Sequence, residues 1–111
     1  MSEKVDLTPV DGVDVTIVMD NAIDILAAPT ETARRPAWQW AWSEVEQLRA
    51  EHGYSLSVTV HHDGTSSKIL YDAGLTKDST VHNLDVLGLN PADYRAVVLS
   101  HGHADHHGGL E

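Results

Sequence analysis

A run of four apolar residues, Ala96-Val97-Val98-Leu99, empties directly into Ser100-His101-Gly102-His103-Ala104-Asp105-His106-His107-Gly108-Gly109. No other stretch narrows the choice of fold so far. A short unbroken apolar run reads as a strand covered on both faces, the kind found inside layered α/β proteins. The polar groups at its mouth are dense: the chain has eight histidines, and His101, His103, His106 and His107 all fall in this segment. Imidazole and carboxylate without thiolate suit zinc, iron, manganese or cobalt. Gly102 and Ala104 let the backbone curl so that alternate side chains converge. A purification tag is a run of identical residues, whereas this cluster is interleaved with Gly, Ala and Asp, so a metal site is the better reading.

One ion cannot easily use all four groups of His101-x-His103-x-Asp105-His106. Ligands at i and i+2 can point to one centre, while Asp105 and His106 can serve a second. Two ions roughly 3.5–4 Å apart would hold a hydroxide between them, a nucleophile for esters, amides, thioesters or phosphoesters. Such a pair wants about three protein ligands per ion, and four obvious ones are present. His61, His62 and Asp72 are further candidates, but ligands beyond Glu111 are the simpler expectation. Termini fray, and chemistry this dense beside the last residue predicts a piece of a longer chain.

The rest of the sequence reads as follows. Residues 1–12 form a polar, flexible lead-in, and 13–111 form part of one domain. Val13 to Met19 has the β-branched content of a strand. Residues 20–37 form a long loop with Pro29, Pro36, Arg34 and Arg35, and Asp20-Asn21 reads as a turn. Ala37 to His52 is predicted helical, with Trp38, Trp42, Val45 and Leu48 or Arg49 on one face and Gly53 as the stop. Ser43 and Glu46 match a capping box, which would start that helix later. Tyr54 to His61 alternates, His62-Asp63-Gly64-Thr65 is a turn, and Lys68 to Tyr71 returns as a second strand. Residues 78–87 form a short helix with Val81, Leu84 and Leu87 or Val86 inward. Pro91-Ala92-Asp93 is one more turn.

The bland reading leads for most other polar residues: His61 and His62 solvated at a hairpin tip, His82 on a surface helix, His52 near a helix end. Asp72 has two readings of equal weight. It is ordinary turn chemistry before Ala73-Gly74, or it orients a metal-bound histidine.

Composition removes several classes of function. A formal net charge of −10 repels phosphate backbones, so nucleic acid is not an expected partner. Cysteine is absent, which excludes disulfides, thiolate zinc sites and a cysteine nucleophile. No apolar run reaches the ~20 residues of a membrane helix, and Met1 to Asp6 lacks the core of a secretory signal. The expectation is a soluble cytoplasmic protein with a small-molecule substrate, no membrane partner, and an oligomeric state left open.

The segment Ser100 to His106 resembles the HxHxDH signature of the metallo-β-lactamase fold superfamily. Lys68-Ile69-Leu70-Tyr71-Asp72-Ala73-Gly74 is similar to that family's strand ending in Asp and a small residue before Gly. The stretch Leu87 to Ser100 is similar to its approach to the motif. Asp20-Asn21, Glu51-His52-Gly53-Tyr54-Ser55-Leu56 and His107-Gly108-Gly109-Leu110 resemble the branch related to the dihydropterin ribofuranosyl-aminobenzene-phosphate synthase of methanopterin biosynthesis. The resemblance covers roughly residues 13–111.

It implies an α/β fold, the αββα sandwich, with only its amino-terminal half present and an inner sheet face left without a partner. It implies that His101 and His103 bind a first ion, that Asp105 and His106 bind a second, and that Asp72 supports them. The implied function is a hydrolase working with a metal-bound hydroxide at two divalent ions, zinc in the first instance with iron or manganese as alternatives. Asp105 would be the catalytic carboxylate, and the substrate a small, anionic molecule. A transferase of the dihydropterin type and a non-catalytic fragment are the competing readings. The family more often has a small or hydroxyl residue where His107 stands, which leaves His107 as an extra ligand or an exposed ring.

Overall fold

The computed structural model describes residues 2–36, 38, 40, 41 and 43–111. Its centre is the hairpin of β2 (Ser55–His62) and β3 (Thr65–Tyr71), with Leu56 opposite Tyr71 and His62 opposite Thr65. The two turn residues, Asp63 and Gly64, have φ of +49° and +74°. That pair of positive angles gives the turn whose twist matches its strands. β1 (Gly12–Met19) adds antiparallel to β2, and β4 (Tyr94–Val98) adds parallel to β3, so the sheet order is β1-β2-β3-β4. A parallel neighbour needs a crossover. Here it contains α1 (Ser79–Val86) and a 3-10 turn at Pro91–Asp93, whose cap is the Asn90 side chain. Then α2 (Ala104–His107) follows β4. The described residues form a small mixed α/β domain with a four-stranded sheet and two helices.

The two faces of the sheet differ. Val18, Leu70, Ala73 and Leu84 form the buried core, with Leu87, Leu89 and Tyr94 packed against it. This core lies between one face and α1. Directly opposed residues share a face, so the register places Val13, Val15 and Ile17 beside Val60, Val58 and Leu56, and continues across Ile69 and Tyr71 to Ala96 and Val98. That face is apolar except for Ser67 opposite Val60, yet Val13, Val15 and Ile17 are 51%, 56% and 57% exposed.

Several expectations need correction. Among the described residues of the helix expected over 37–52, none is helical: 43–52 hold turns and irregular backbone. Ala37 and Trp42, part of that reading, lie outside the described residues. Glu44 and Val45 donate to Ala41 O, which closes one local turn. Beyond it the polar groups are taken elsewhere: Arg49 N donates to Asn83 Oδ1, and Glu51 N donates to Asp20 O. Tertiary partners of this kind outweigh the weak propensity of a short helix. β4 is an edge strand rather than a doubly covered one, with Val97 and Val98 43% and 41% exposed. In α1 the inward residues are Ser79, Thr80, Asn83 and Leu84, while Val81 is half exposed. β1 starts at Gly12 and β3 at Thr65, each earlier than the sequence pattern suggests. Among the described residues no helix is long and apolar enough to cross a membrane.

Candidate metal centre

Parallel pairing of β3 and β4 sets Tyr71 opposite Val98. The residues that follow each strand therefore leave the sheet side by side. Asp72 N donates to Val98 O, and Asp72 itself turns with φ +57°, a left-handed conformation that Asp tolerates better than most residues. The turn drives its carboxyl inward, where the residue is only 1% exposed.

Every oxygen of that carboxyl is used. Oδ1 accepts the Ser100 N–H at 2.7 Å. Oδ2 accepts the Ser100 hydroxyl at 2.7 Å and faces His106 Nδ1 at 2.6 Å. Burial opposes ionisation of Asp72, but the Ser100 N–H, the Ser100 hydroxyl and His106 together outweigh it and hold the carboxyl below its ordinary value. An ionised Asp72 only accepts, so His106 carries its proton on Nδ1. The Ser100 hydroxyl has given its hydrogen to Asp72, so at 2.9 Å it accepts from His101 Nδ1.

These assignments follow from the bonding network, and they have a consequence at the other side of each ring. In a neutral ring, Nε2 of His101 and of His106 is then the nitrogen that carries the lone pair. His101 Nε2 faces His103 Nδ1 at 3.0 Å, and His106 Nε2 faces Asp105 Oδ2 at 3.3 Å. A lone pair facing a carboxylate oxygen at that separation is repulsive unless a proton or a cation lies nearby. Tetrahedral bonds of ~2.0–2.1 Å to one ion set two ligand nitrogens about 3.3 Å apart, close to the separation seen for His101 and His103. The ring centroids of His101 and His106 are 4.1 Å apart. The chemistry of the donors fits a cation, and so does the spacing of the His101–His103 pair, but the motif's residues are not among the groups of three or more donors drawn within 4.8 Å of one another.

The structure thus brings His101, His103, Asp105, His106 and Asp72 to one margin of the sheet, with His101 and His103 exposed and Asp105 and His106 half-buried. His107 stands half-buried at the end of α2. The close approaches in this segment run pair by pair. A second set of donors lies at the hairpin tip, where Asp11, His62 and Asp63 each offer one ligand atom within 4.8 Å of the others. That group could hold a cation, although Asp11 also accepts the Asp63 N–H at 2.9 Å. His61 and His62 are half-exposed rather than simply solvated. His61 reaches Asp14 at 2.7 Å and Ser66 at 2.8 Å. His82 is half-buried, with Nε2 2.8 Å from Gln47 O.

The glycine pair has a sharper role than release of the chain. A Cβ on Gly108 would lie 1.8 Å from Leu75 O, and one on Gly109 would lie 2.2 Å from Ala73 O. The backbone after α2 is pressed onto residues 73–75, with Ala73 N donating to His106 O and Gly108 N donating to Gly74 O. Sequence reasoning also missed Ser100 as the link between rings, and Glu51 and His52 beside the motif. Burial opposes ionisation of Glu51, but bonds from Thr76, Leu75 and Ser79 pull its carboxyl below the ordinary value. Spacing carries no signal for His52, which is 53 positions from Asp105 and meets it only through the fold.

The profile of the metallo-beta-lactamase superfamily matches residues 50–111, more than half of the chain. The chain belongs to the metallo-beta-lactamase superfamily. Its members are usually metal-dependent hydrolases, and the matched span contains the motif and every residue gathered around Asp72. The chain is also 34% identical over 61 residues to the 7,8-dihydropterin-6-methyl-4-(beta-D-ribofuranosyl)-aminobenzene-5'-phosphate synthase of Methanocaldococcus jannaschii. That alignment covers 55% of this superfamily member and 21% of the relative, so the chain spans about a fifth of the curated protein it matches.

Proposed function

We propose that this chain carries the first ligands of a dinuclear centre in a metal-dependent hydrolase, with His101 and His103 on one ion and Asp105 and His106 on the other. The observation that carries this reading is the pair of imidazoles tied down through Nδ1, each with its Nε2 turned to another candidate ligand, His103 or Asp105. Zinc is the first candidate, and iron or manganese would suit the same donors. When bound, such ions act as Lewis acids on a carbonyl or phosphoryl oxygen and acidify water.

The chain's own residues supply the geometry. Asp72 holds the His106 ring and, through Ser100, the His101 ring, so that Nε2 of one meets Asp105 and Nε2 of the other meets His103. Asp105 stands at the lip, where its carboxylate orients the attacking water and accepts its proton. The substrate is a small anionic molecule, and the setting is the cytoplasm.

The finer architecture belongs to the same proposal. The uncovered apolar face, together with the one-fifth coverage of the relative, supports an αββα sandwich of which residues 13–111 are the amino-terminal half. The remaining ligands would come from the other half.

Metal analysis after reconstitution with zinc tests the centre. Stoichiometric zinc is expected in the wild-type chain, and its loss in the His101→Ala/His103→Ala variant. Equal zinc in both proteins would sink the proposal. A second reading, a synthase joining a dihydropterin to an aminobenzene ribofuranosyl phosphate, is favoured by the 34% identity to a protein of that name. Incubation with both partners should then give a condensation product, and none is expected from a hydrolase.

A further inference from the structure

We propose that His52 is a positioning residue for Asp105, held by a segment keyed to the motif so that its Nε2–H faces the Asp105 carboxylate and aims it. This rests on the reading of Asp105 as a ligand given above. His52 Nε2 stands 3.4 Å from Asp105 Oδ2, and the His52 side chain is 80% exposed. Its own burial therefore does not hold it there.

The neighbours on both sides hold it. Before it, Glu51 N donates to Asp20 O, and the Glu51 carboxylate accepts the N–H groups of Leu75 and Thr76 at 3.0 Å each. After it, a Cβ on Gly53 would meet Leu75 N at 2.9 Å and Asp105 O at 3.1 Å. No other residue type allows the backbone so close. Tyr54 N then donates to Asp105 O, and Tyr54 O accepts from Gly74 N. The segment that carries His52 is thus bonded to the backbone of Asp105 itself.

The chemistry of the shared oxygen completes the argument. Asp105 Oδ2 lies between two imidazoles, His106 Nε2 at 3.3 Å and His52 Nε2 at 3.4 Å. His106 is already tied to Asp72 through Nδ1 at 2.6 Å, whereas His52 reaches only Asp105. His52 is free to take the tautomer that donates. A carboxylate ligand fixed by an outer hydrogen bond keeps its orientation, and loss of such a partner typically costs 10–100-fold in metal affinity.

Two measurements on the intact chain test this. In long-range ¹H–¹⁵N spectra without metal, His52 should be the Nε2–H tautomer, and its Nε2 resonance should move in Asp105→Ala. In titrations with cobalt, His52→Ala should bind about tenfold or more weakly with an altered visible spectrum. His52→Gln, whose amide can donate from a similar position, should regain most of that loss. Circular dichroism of His52→Ala should match the wild type, since the side chain is exposed. A His52 resonance indifferent to Asp105→Ala overturns the proposal, as does wild-type cobalt affinity in His52→Ala. A wild-type chain that takes up no cobalt sinks the metal-centre reading instead, and the metal-free spectra then decide the role of His52.

Discussion

Asp72 ties Ser100 and His106 together through one buried carboxyl. Its two oxygens accept from Ser100 twice and from His106 once. Asp72→Asn keeps the size and tolerates the left-handed backbone. It cannot accept at both positions, so it should cost about 1–3 kcal/mol at neutral pH. The pH dependence follows from the lowered carboxyl. In the unfolded chain an aspartate titrates near ~3.9. The stabilisation from Asp72 is complete above that value and is lost as pH falls through the lower value of the folded state. Urea unfolding at stepped pH should therefore show the gap between wild type and Asp72→Asn closing below about pH 4. Gly108→Ala is a purely steric test. With Leu75 O only 1.8 Å from the new Cβ, it should lower stability by about 3 kcal/mol in thermal melts.

The segment ahead of β2 shows how one side chain can decide the form of an element. Asn83, 1% exposed on α1, donates to Val18 O and Arg49 O and accepts from Arg49 N. It satisfies the backbone on both sides of Arg49, which removes the need for helical bonds there. It also sets the path that brings Glu51 and His52 to the motif. Asn83→Ala leaves those buried groups without partners, so a loss of about 2 kcal/mol or more is expected by chemical denaturation. Hydrogen exchange at the amides of Arg49 and Glu51 should accelerate in the same variant. Unchanged protection there would refute this role for α1.

The molecule as a whole is one-sided. Its core lies between the sheet and α1, while the opposite face presents Val13, Val15, Ile17 and Val98 to solvent. Apolar faces of this extent mark contact surfaces or aggregation risks, and β1 adds an open edge to this one. Sedimentation of the chain should show self-association that rises with concentration. Val15→Lys places a charge in the middle of the face on the edge strand. It should reduce that association and leave the melting temperature within a degree or two, because Val15 is 56% exposed already. Association unchanged by Val15→Lys would mean that this face is not the contact surface.

Local chemistry was readable without a fold. The hairpin was legible because Asp63-Gly64 sits between alternating segments, and turn geometry is a property of a few adjacent residues. The motif was legible because His101, His103, Asp105 and His106 are neighbours in the chain. What depended on packing was everything that joins distant segments. The 43–52 stretch has the pattern of a helix, yet Asn83 and Asp20 offer its backbone better partners. The apolar run after Arg95 has the pattern of an interior strand, yet its position at the sheet edge leaves it half exposed. Asp72 could be a turn residue or a supporting carboxylate until the parallel register of β3 and β4 set it against Ser100 and His106. His52 was legible only as part of the resemblance over residues 51–56, and nothing in its spacing tied it to Asp105. Interactions within a few residues are encoded by spacing, whereas those between strand ends exist only once the sheet has brought them together.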